Sequence, residues 1–303
     1  MQAQRDTSKG SAALQRPEPF LVLDVFTEKP LEGNQLGVFT DAAAIPSELM
    51  QRLARELNFS ETVFVLPGDG HSDARLRIFT PSRELPFAGH PVLGAAFAVG
   101  AQLERDQLRL QTALGVVPVE LRREGGAIAF GSMRQLVPEW RAYEREAELL
   151  GALGVERSGL PVEAYANGPL HAYVELDGED AVAQLRPDMR ALAALDCCAN
   201  CFAGRGRRFK TRVFAPAFGV AEDPATGSAA GPLAVHLSRH GRISFGEEIE
   251  IRQGDEVGRP SLLYASAHGS HAAIERVQVG GSAVTVARGE FILPRRAQPR
   301  SSS

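Results

Sequence analysis

Short runs in which apolar and polar residues alternate, or in which β-branched and aromatic residues cluster, recur through residues 20–80: Phe20–Phe26 (FLVLDVF), Leu36–Thr40, Thr62–Leu66 and Arg75–Thr80. That period predicts strands with one face on a core, and turn sequences such as Gly68-Asp-Gly70 punctuate them. A helical period interrupts the series. From Pro46 to Asn58, residues Leu49, Met50, Leu53, Ala54 and Leu57 share one face, and Pro46 suits a first turn. A second helical stretch opens at Pro91 and runs through Val92, Leu93, Ala95, Ala96, Phe97 and Val99. It is apolar nearly all round, so a helix buried in a core is expected.

The pattern restarts near residue 135, with a helix expected near Tyr143–Leu153, strands near Val162–Tyr165 and His171–Leu176, and a helix near Ala181–Leu195. Arg77-Ile-Phe-Thr-Pro81 is then echoed by Arg212-Val-Phe-Ala-Pro216. After each, a short loop leads to a glycine that opens an Ala-rich helix: Ala88-Gly-His-Pro-Val-Leu-Gly-Ala-Ala96 in one half, Ala225-Thr-Gly-Ser-Ala-Ala-Gly-Pro-Leu-Ala234 in the other. A match that extends from strand through loop into helix is an internal duplication. Two similar α+β halves, each with a buried central helix, would place their helix starts on one cleft between them. The chain divides accordingly into 18–134 and 135–287, with the last strand, about 288–294, completing the first half. The segments 1–17 and 295–303 are polar and Ser/Arg/Gln-rich and are expected to be disordered.

Composition narrows the function classes. A chain of 303 residues with 44% hydrophobic and 23% charged residues has enough apolar surface for two cores. A net charge of -4, spread along the chain, offers no basic stripe for nucleic acid. No apolar run reaches a membrane-spanning length and the N-terminus lacks a secretory apolar core, so a cytoplasmic protein is expected. Cys197, Cys198 and Cys201 are an odd set, read as buried thiols on a strand rather than a redox or zinc site, since no second Cys/His pair stands at ligand spacing.

The candidate chemistry sits at the two glycine-led helix starts, whose free N–H groups and dipoles favour an anion. The first supplies Gly89 and His90; the second supplies Gly227 and Ser228, with Asp223 just before. Ser228 alone reads more readily as a helix cap, and Glu61, between a helix end and a strand start, more readily as a solvated carboxylate.

Further motifs bear on those alternatives. Asp24-Val-Phe-Thr, Leu31-Glu-Gly-Asn34, Ser60-Glu-Thr, Glu84-Leu-Pro-Phe-Ala-Gly-His-Pro91 and Glu222-Asp-Pro-Ala-Thr-Gly-Ser-Ala-Ala230, in that order, resemble the motifs of the PhzF-like isomerases. Asn167-Gly-Pro169, Cys201-Phe-Ala-Gly204, Gly231–Leu237 and Gln253–Ser261 extend the resemblance toward its phenazine-pathway branch. The resemblance implies a diaminopimelate-epimerase-like fold, no cofactor and no metal, and a homodimer. It also implies a proton shift that converts trans-2,3-dihydro-3-hydroxyanthranilate to an aminoketone. Glu61 would be the acid/base, His90 and Asp223 further catalytic groups, and Ser60, Gly89, Gly227 and Ser228 substrate-binding positions. The two-thiol racemases of this fold carry cysteine where this chain has His90 and Ser228, so that chemistry is excluded. A relative acting on another small amino or cyclic acid, or a non-catalytic aromatic-acid binder, remains an alternative.

Overall fold

The computed structural model describes residues 15–294, so the disorder expected for 1–14 and 295–303 lies outside the described residues. The first half comprises β1 (Gln15–Val25), β2 (Asn34–Phe39), α1 (Ser47–Leu57), β3 (Glu61–Pro67), β4 (Ala74–Phe79), β5 (Glu84–Leu85), α2 (Gly89–Leu103), β6 (Gln107–Thr112), β7 (Gly115–Glu124) and β8 (Ala127–Gln135). There follow β9 (Glu139–Ala142), α3 (Glu146–Leu153), β10 (Glu163–Ala166), β11 (Leu170–Glu175), α4 (Glu179–Gln184), α5 (Met189–Ala193), β12 (Cys198–Arg205) and β13 (Arg208–Ala215). The last described elements are β14 (Val220–Asp223), α6 (Gly227–Arg239), β15 (Glu248–Gln253), β16 (Ser261–Gly269), β17 (Ile274–Gly281) and β18 (Ala283–Pro294).

The pairing repeats. In the first half β2 runs parallel to β3, β3 antiparallel to β4 and β4 parallel to β6, after which β6, β7 and β8 form an antiparallel run. In the second, β11 is parallel to β12, β12 antiparallel to β13, β13 parallel to β15, and β15, β16 and β17 are antiparallel. Antiparallel pairing of β8 with β17 joins the two sets. The flanking strands are exchanged: β9 follows β8 but pairs with β10, while β18 follows β17 but pairs with β1. Each set curls round one helix. The stretches Gly89–Gly100 of α2 and Gly227–Ser238 of α6 are buried on all sides, as their all-round apolar sequences require.

The repeated Arg-x-Phe has a physical basis. Arg77 forks onto Glu84 beyond the turn (2.7 and 2.6 Å) and lies 5.0 Å over the Phe79 ring. Arg212 forks onto Glu222 (2.8 and 2.7 Å) and lies 4.9 Å over Phe214. Each bidentate pair fixes the strand-to-helix loop that follows it.

Two expectations need correction. Residues 15–17 are not disordered but begin β1, because their main-chain groups continue the ladder against residues 292–294 of β18, which needs no apolar side chains. The single helix expected over 181–195 is two short helices. Leu185 leaves helical geometry (ψ 135°) and Arg186 precedes Pro187, which disfavours the helical region for the residue before it. Asp188 then restarts the chain as α5, its carboxylate accepting from the N–H groups of Arg190 and Ala191. The three cysteines are free, buried thiols, two of them on β12.

Candidate active site

The starts of α2 and α6 meet at their glycines. A Cβ built on Gly89 would lie 2.4 Å from the carbonyl carbon of Gly227 and 2.5 Å from the Ser228 nitrogen, so only glycine permits this backbone approach. Neither cap residue, Ala88 or Thr226, offers its side chain to the first-turn N–H groups. Both helix ends therefore keep donors and positive dipole ends for an anion.

Glu61 is the first residue of β3, its side chain 14% exposed, and its Oε2 lies 3.5 Å from Nε2 of His90. Neither atom has a hydrogen-bond partner among the described residues. Burial, then the charge of Asp223, holds the Glu61 carboxyl well above the usual carboxylate range. Burial lowers His90 to about 3, so the imidazole is neutral and the contact is no ion pair. A backbone hydrogen bond to Gln35 opposes that shift without overcoming it, and Asn34 Nδ2 stands 3.4 Å from Nδ1 of the same ring.

Asp223 ends β14. Burial raises it to about 6, against the opposing hydrogen bonds from Thr226, Asn34 and Ser60. Its Oδ2 accepts from the Thr226 hydroxyl at 2.6 Å and its Oδ1 from Asn34 Nδ2 at 2.8 Å and the Ser60 hydroxyl at 3.4 Å. Asn34 Nδ2 also donates to the Ala225 carbonyl at 2.8 Å, so one amide ties β2 to the loop before α6. Gln253 completes the frame, donating to the Asp223 carbonyl and the Thr226 hydroxyl and accepting from the Thr226 N–H.

Glu61, His90, Asp223, Gly89, Gly227 and Ser228 line one cavity; Ser60 stands behind it, on Asp223 and Asn34. Leu85, Pro169, Val213, Ala215, Phe218 and Val220 form its apolar wall. Sequence reasoning assigned no role to Asn34, Thr226, His171, Asn200, Cys198 or Gln253. The registers offer a clue to one of them: Glu61 faces Leu36 across β2 and β3, and Cys198 faces His171 across β11 and β12, so Cys198 occupies the position in the second half that Glu61 holds in the first. The cavity measures about 40 Å³, room for a water but not for a six-membered ring, so the walls must part to admit one. The loops after β4 and β13 touch beside it, with the Arg83 guanidinium 4.6 Å over the ring of Phe218, a lining residue.

Elsewhere, a larger cleft of about 750 Å³ beside Phe26, Phe130, Leu262 and Tyr264 is rimmed by exposed charges of both signs and gathers no buried acid/base pair. Among the described residues one trio could surround a cation, Glu163, His236 and His240. Arg239 already fills that role, its Nη1 standing 2.5 Å from Glu163 Oε2, which Tyr165 also reaches at 2.7 Å. None of the trio lines the cavity.

The profile of the phenazine biosynthesis-like protein family matches residues 23–289. The chain belongs to this PhzF family. It is 52% identical over 275 residues to the trans-2,3-dihydro-3-hydroxyanthranilate isomerase of Pseudomonas fluorescens, which covers 90% of this chain and 99% of that one. The solved structure of a predicted epimerase from Pseudomonas aeruginosa matches with TM-score 0.77 and 33% identity over 90% of this chain and 99% of that one. A hydroxyproline epimerase from Agrobacterium vitis shares the fold alone, with TM-score 0.63 and 13% identity over 92% and 93%. The PhzF chain described here therefore has the epimerase-type α+β fold and is an isomerase by family. Among the described residues no helix is long and apolar enough to cross a membrane.

Proposed function

We propose that this chain isomerises trans-2,3-dihydro-3-hydroxyanthranilate, with Glu61 carrying the proton. The observation that carries the reading is the buried Glu61 carboxyl, its pKa raised, facing a neutral imidazole beside two uncapped helix starts. Relatives of half-identical sequence, matched over nearly their whole length, bear that activity. A pure binder of aromatic acids would use the helix starts but gains nothing from a buried carboxylate that has no cation beside it.

In this mechanism the substrate carboxylate sits at the N–H groups of Gly89, Gly227 and Ser228. Ionised Glu61 takes the proton from C3, the diene electrons shift along the ring, and the resulting carboxylic acid returns the proton to C1. The enol left at C3 then relaxes to the ketone. No electrons leave the substrate, so a redox cofactor has no role. A carboxyl raised toward neutrality serves both directions, since it is basic enough to take the proton and acidic enough to return it.

The test is decay of the diene absorbance with purified protein, a chelator present and no nicotinamide, flavin or pyridoxal phosphate added. Substrate deuterated at C3 should react more slowly, and its product should retain deuterium at C1. Folded protein that leaves the diene untouched but turns over another cyclic amino acid would replace the substrate and keep the site.

A pH prediction follows from the pair of carboxyls. Asp223→Asn removes the negative charge that helps hold Glu61 up, so the acid limb of kcat/KM should move to lower pH. Burial, the larger cause, remains, so the shift should stop short of the ordinary range. An unmoved limb would separate the two groups.

The chain is further proposed to work in the cytoplasm as a homodimer, with halves divided near 134/135. The pairing of β18 with β1 supports the return of the last strand to the first half. Three reduced, buried thiols fit a cytoplasmic compartment, and the homodimer rests on the family resemblance.

A further inference from the structure

His171 lies on β11, fully buried, and lines the same cavity as Glu61. Its Nε2 is 3.1 Å from the Ser228 hydroxyl and its Nδ1 is 3.3 Å from Nδ2 of Asn200. The same Asn200 Nδ2 donates to the Cys198 carbonyl at 2.8 Å. Flipping that amide would set two oxygens against each other, so its orientation is determined by the backbone of β12. Its second N–H is shared between the Ala172 carbonyl at 3.4 Å and His171 Nδ1, and since an amide nitrogen has no acceptor capacity, a hydrogen bond at 3.3 Å requires Nδ1 to be the unprotonated, accepting nitrogen. The ring proton is then on Nε2 and is donated to Ser228 Oγ. With its oxygen already accepting from His171, and no other protein partner for the hydroxyl among the described residues, Ser228 turns its O–H into the cavity.

We propose that Asn200 and His171 are positioning residues that lock Ser228 as a hydrogen-bond donor, making the second helix start selective for an anionic acceptor such as the substrate carboxylate. This rests on the proposed placement of the carboxylate at the paired helix starts. The two halves differ in this respect. Leu36 occupies in the first half the place of His171 in the second, and His90 stands where α6 has Ser228, so the donor relay belongs to one lobe alone. The desolvation that lowers His171 to about 3 keeps the ring neutral, and hence the relay unchanged, across the working pH range.

The tautomer can be read directly. In histidine labelled with nitrogen-15, the resonances lost in His171→Gln should belong to a ring with proton-bearing Nε2 and bare Nδ1, unchanged from mildly acidic to mildly alkaline buffer. A proton on Nδ1 would overturn the proposal, and this measurement on the unaltered protein stands whether or not the substrate assignment holds. Ligand selectivity gives the second arm, using 2-aminobenzoate and 2-aminobenzamide as matched probes. Ser228→Ala and His171→Leu should each weaken the acid by roughly tenfold or more, the worth of one hydrogen bond to a charged group, and leave the amide nearly unchanged. The double variant should lose no more than either single one, and His171→Gln, whose amide reaches Ser228 as a donor, should restore most of the acid's affinity. Losses that multiply in the double variant would overturn the relay. If the unaltered protein bound neither probe while the tautomer was as stated, the placement of the carboxylate would fail and the relay would survive.

Discussion

Glu61→Gln should lower turnover at least about a hundredfold, the usual loss for a general acid/base, while the protein still folds and still binds 2-aminobenzoate. The amide keeps the size of the side chain and its contact with His90, but cannot take up and return a proton. The same variant should be more stable than the unaltered protein at alkaline pH. A carboxyl held above its ordinary value of 4.5 in the folded state binds its proton more tightly there than in the unfolded chain. Its contribution is therefore neutral in acid, where both states are protonated, and becomes a cost as pH rises from the ordinary carboxylate range through the raised value. Removing the group removes the cost, so the melting temperature of the Gln variant should exceed that of the unaltered protein at high pH and converge with it in acid. Near-normal turnover would take Glu61 out of the mechanism. A melting difference that does not change with pH would mean the carboxylate is solvated after all, and one with the opposite pH dependence would mean that a partner stabilises its charge.

That burial was not legible in the sequence. Glu61 follows Ser60 at the start of a strand, a place where most carboxylates face water, and the groups it meets come from far along the chain: His90 at one helix start, and Asp223, whose charge acts on it, from the other half. Periodicity reads neighbours, not groups brought together by a duplicated fold. The strands, the two central helices and the duplication were legible because each depends on a local pattern that repeats: alternation, all-round apolarity, and Arg-x-Phe before a glycine-led helix. The break at Pro187 was legible too, in the residue-before-proline rule, but the apolar residues on either side masked it. His171 and Asn200 carried a weaker signal. Each is a polar side chain in a run otherwise composed of buried residues, Ala172–Val174 and Cys198–Ala203, and a buried polar group needs a partner. The partner, Ser228, stood too far along the chain to be inferred.

Gly89→Ala should be among the most damaging single-methyl changes available in this protein. The added carbon would stand 2.4, 2.5 and 2.8 Å from the Gly227 carbonyl carbon, the Ser228 nitrogen and the Gly227 Cα, all of them backbone atoms of a buried helix start. A side chain could rotate away; this backbone cannot, so α2 and α6 must separate. Overpacking of this kind costs about 1–3 kcal/mol or more. It also moves His90, the residue next to Gly89, away from Glu61, and pulls apart the N–H groups proposed to hold the carboxylate, so activity should fall by at least tenfold even where the fold survives. Gly227→Ala should be milder, since its nearest contacts are 3.0 Å and include the ring edge of Phe26. Gly151, on an exposed face of α3 with open space at its Cβ position, provides the contrast: Gly151→Ala should stabilise the protein by about 0.5–1 kcal/mol through helix propensity and leave turnover alone. Thermal melts and steady-state kinetics on the three variants decide the matter. A Gly89→Ala protein as stable and as active as the unaltered one would mean that the two helix starts do not abut in solution, and the anion site built from them would have to be abandoned.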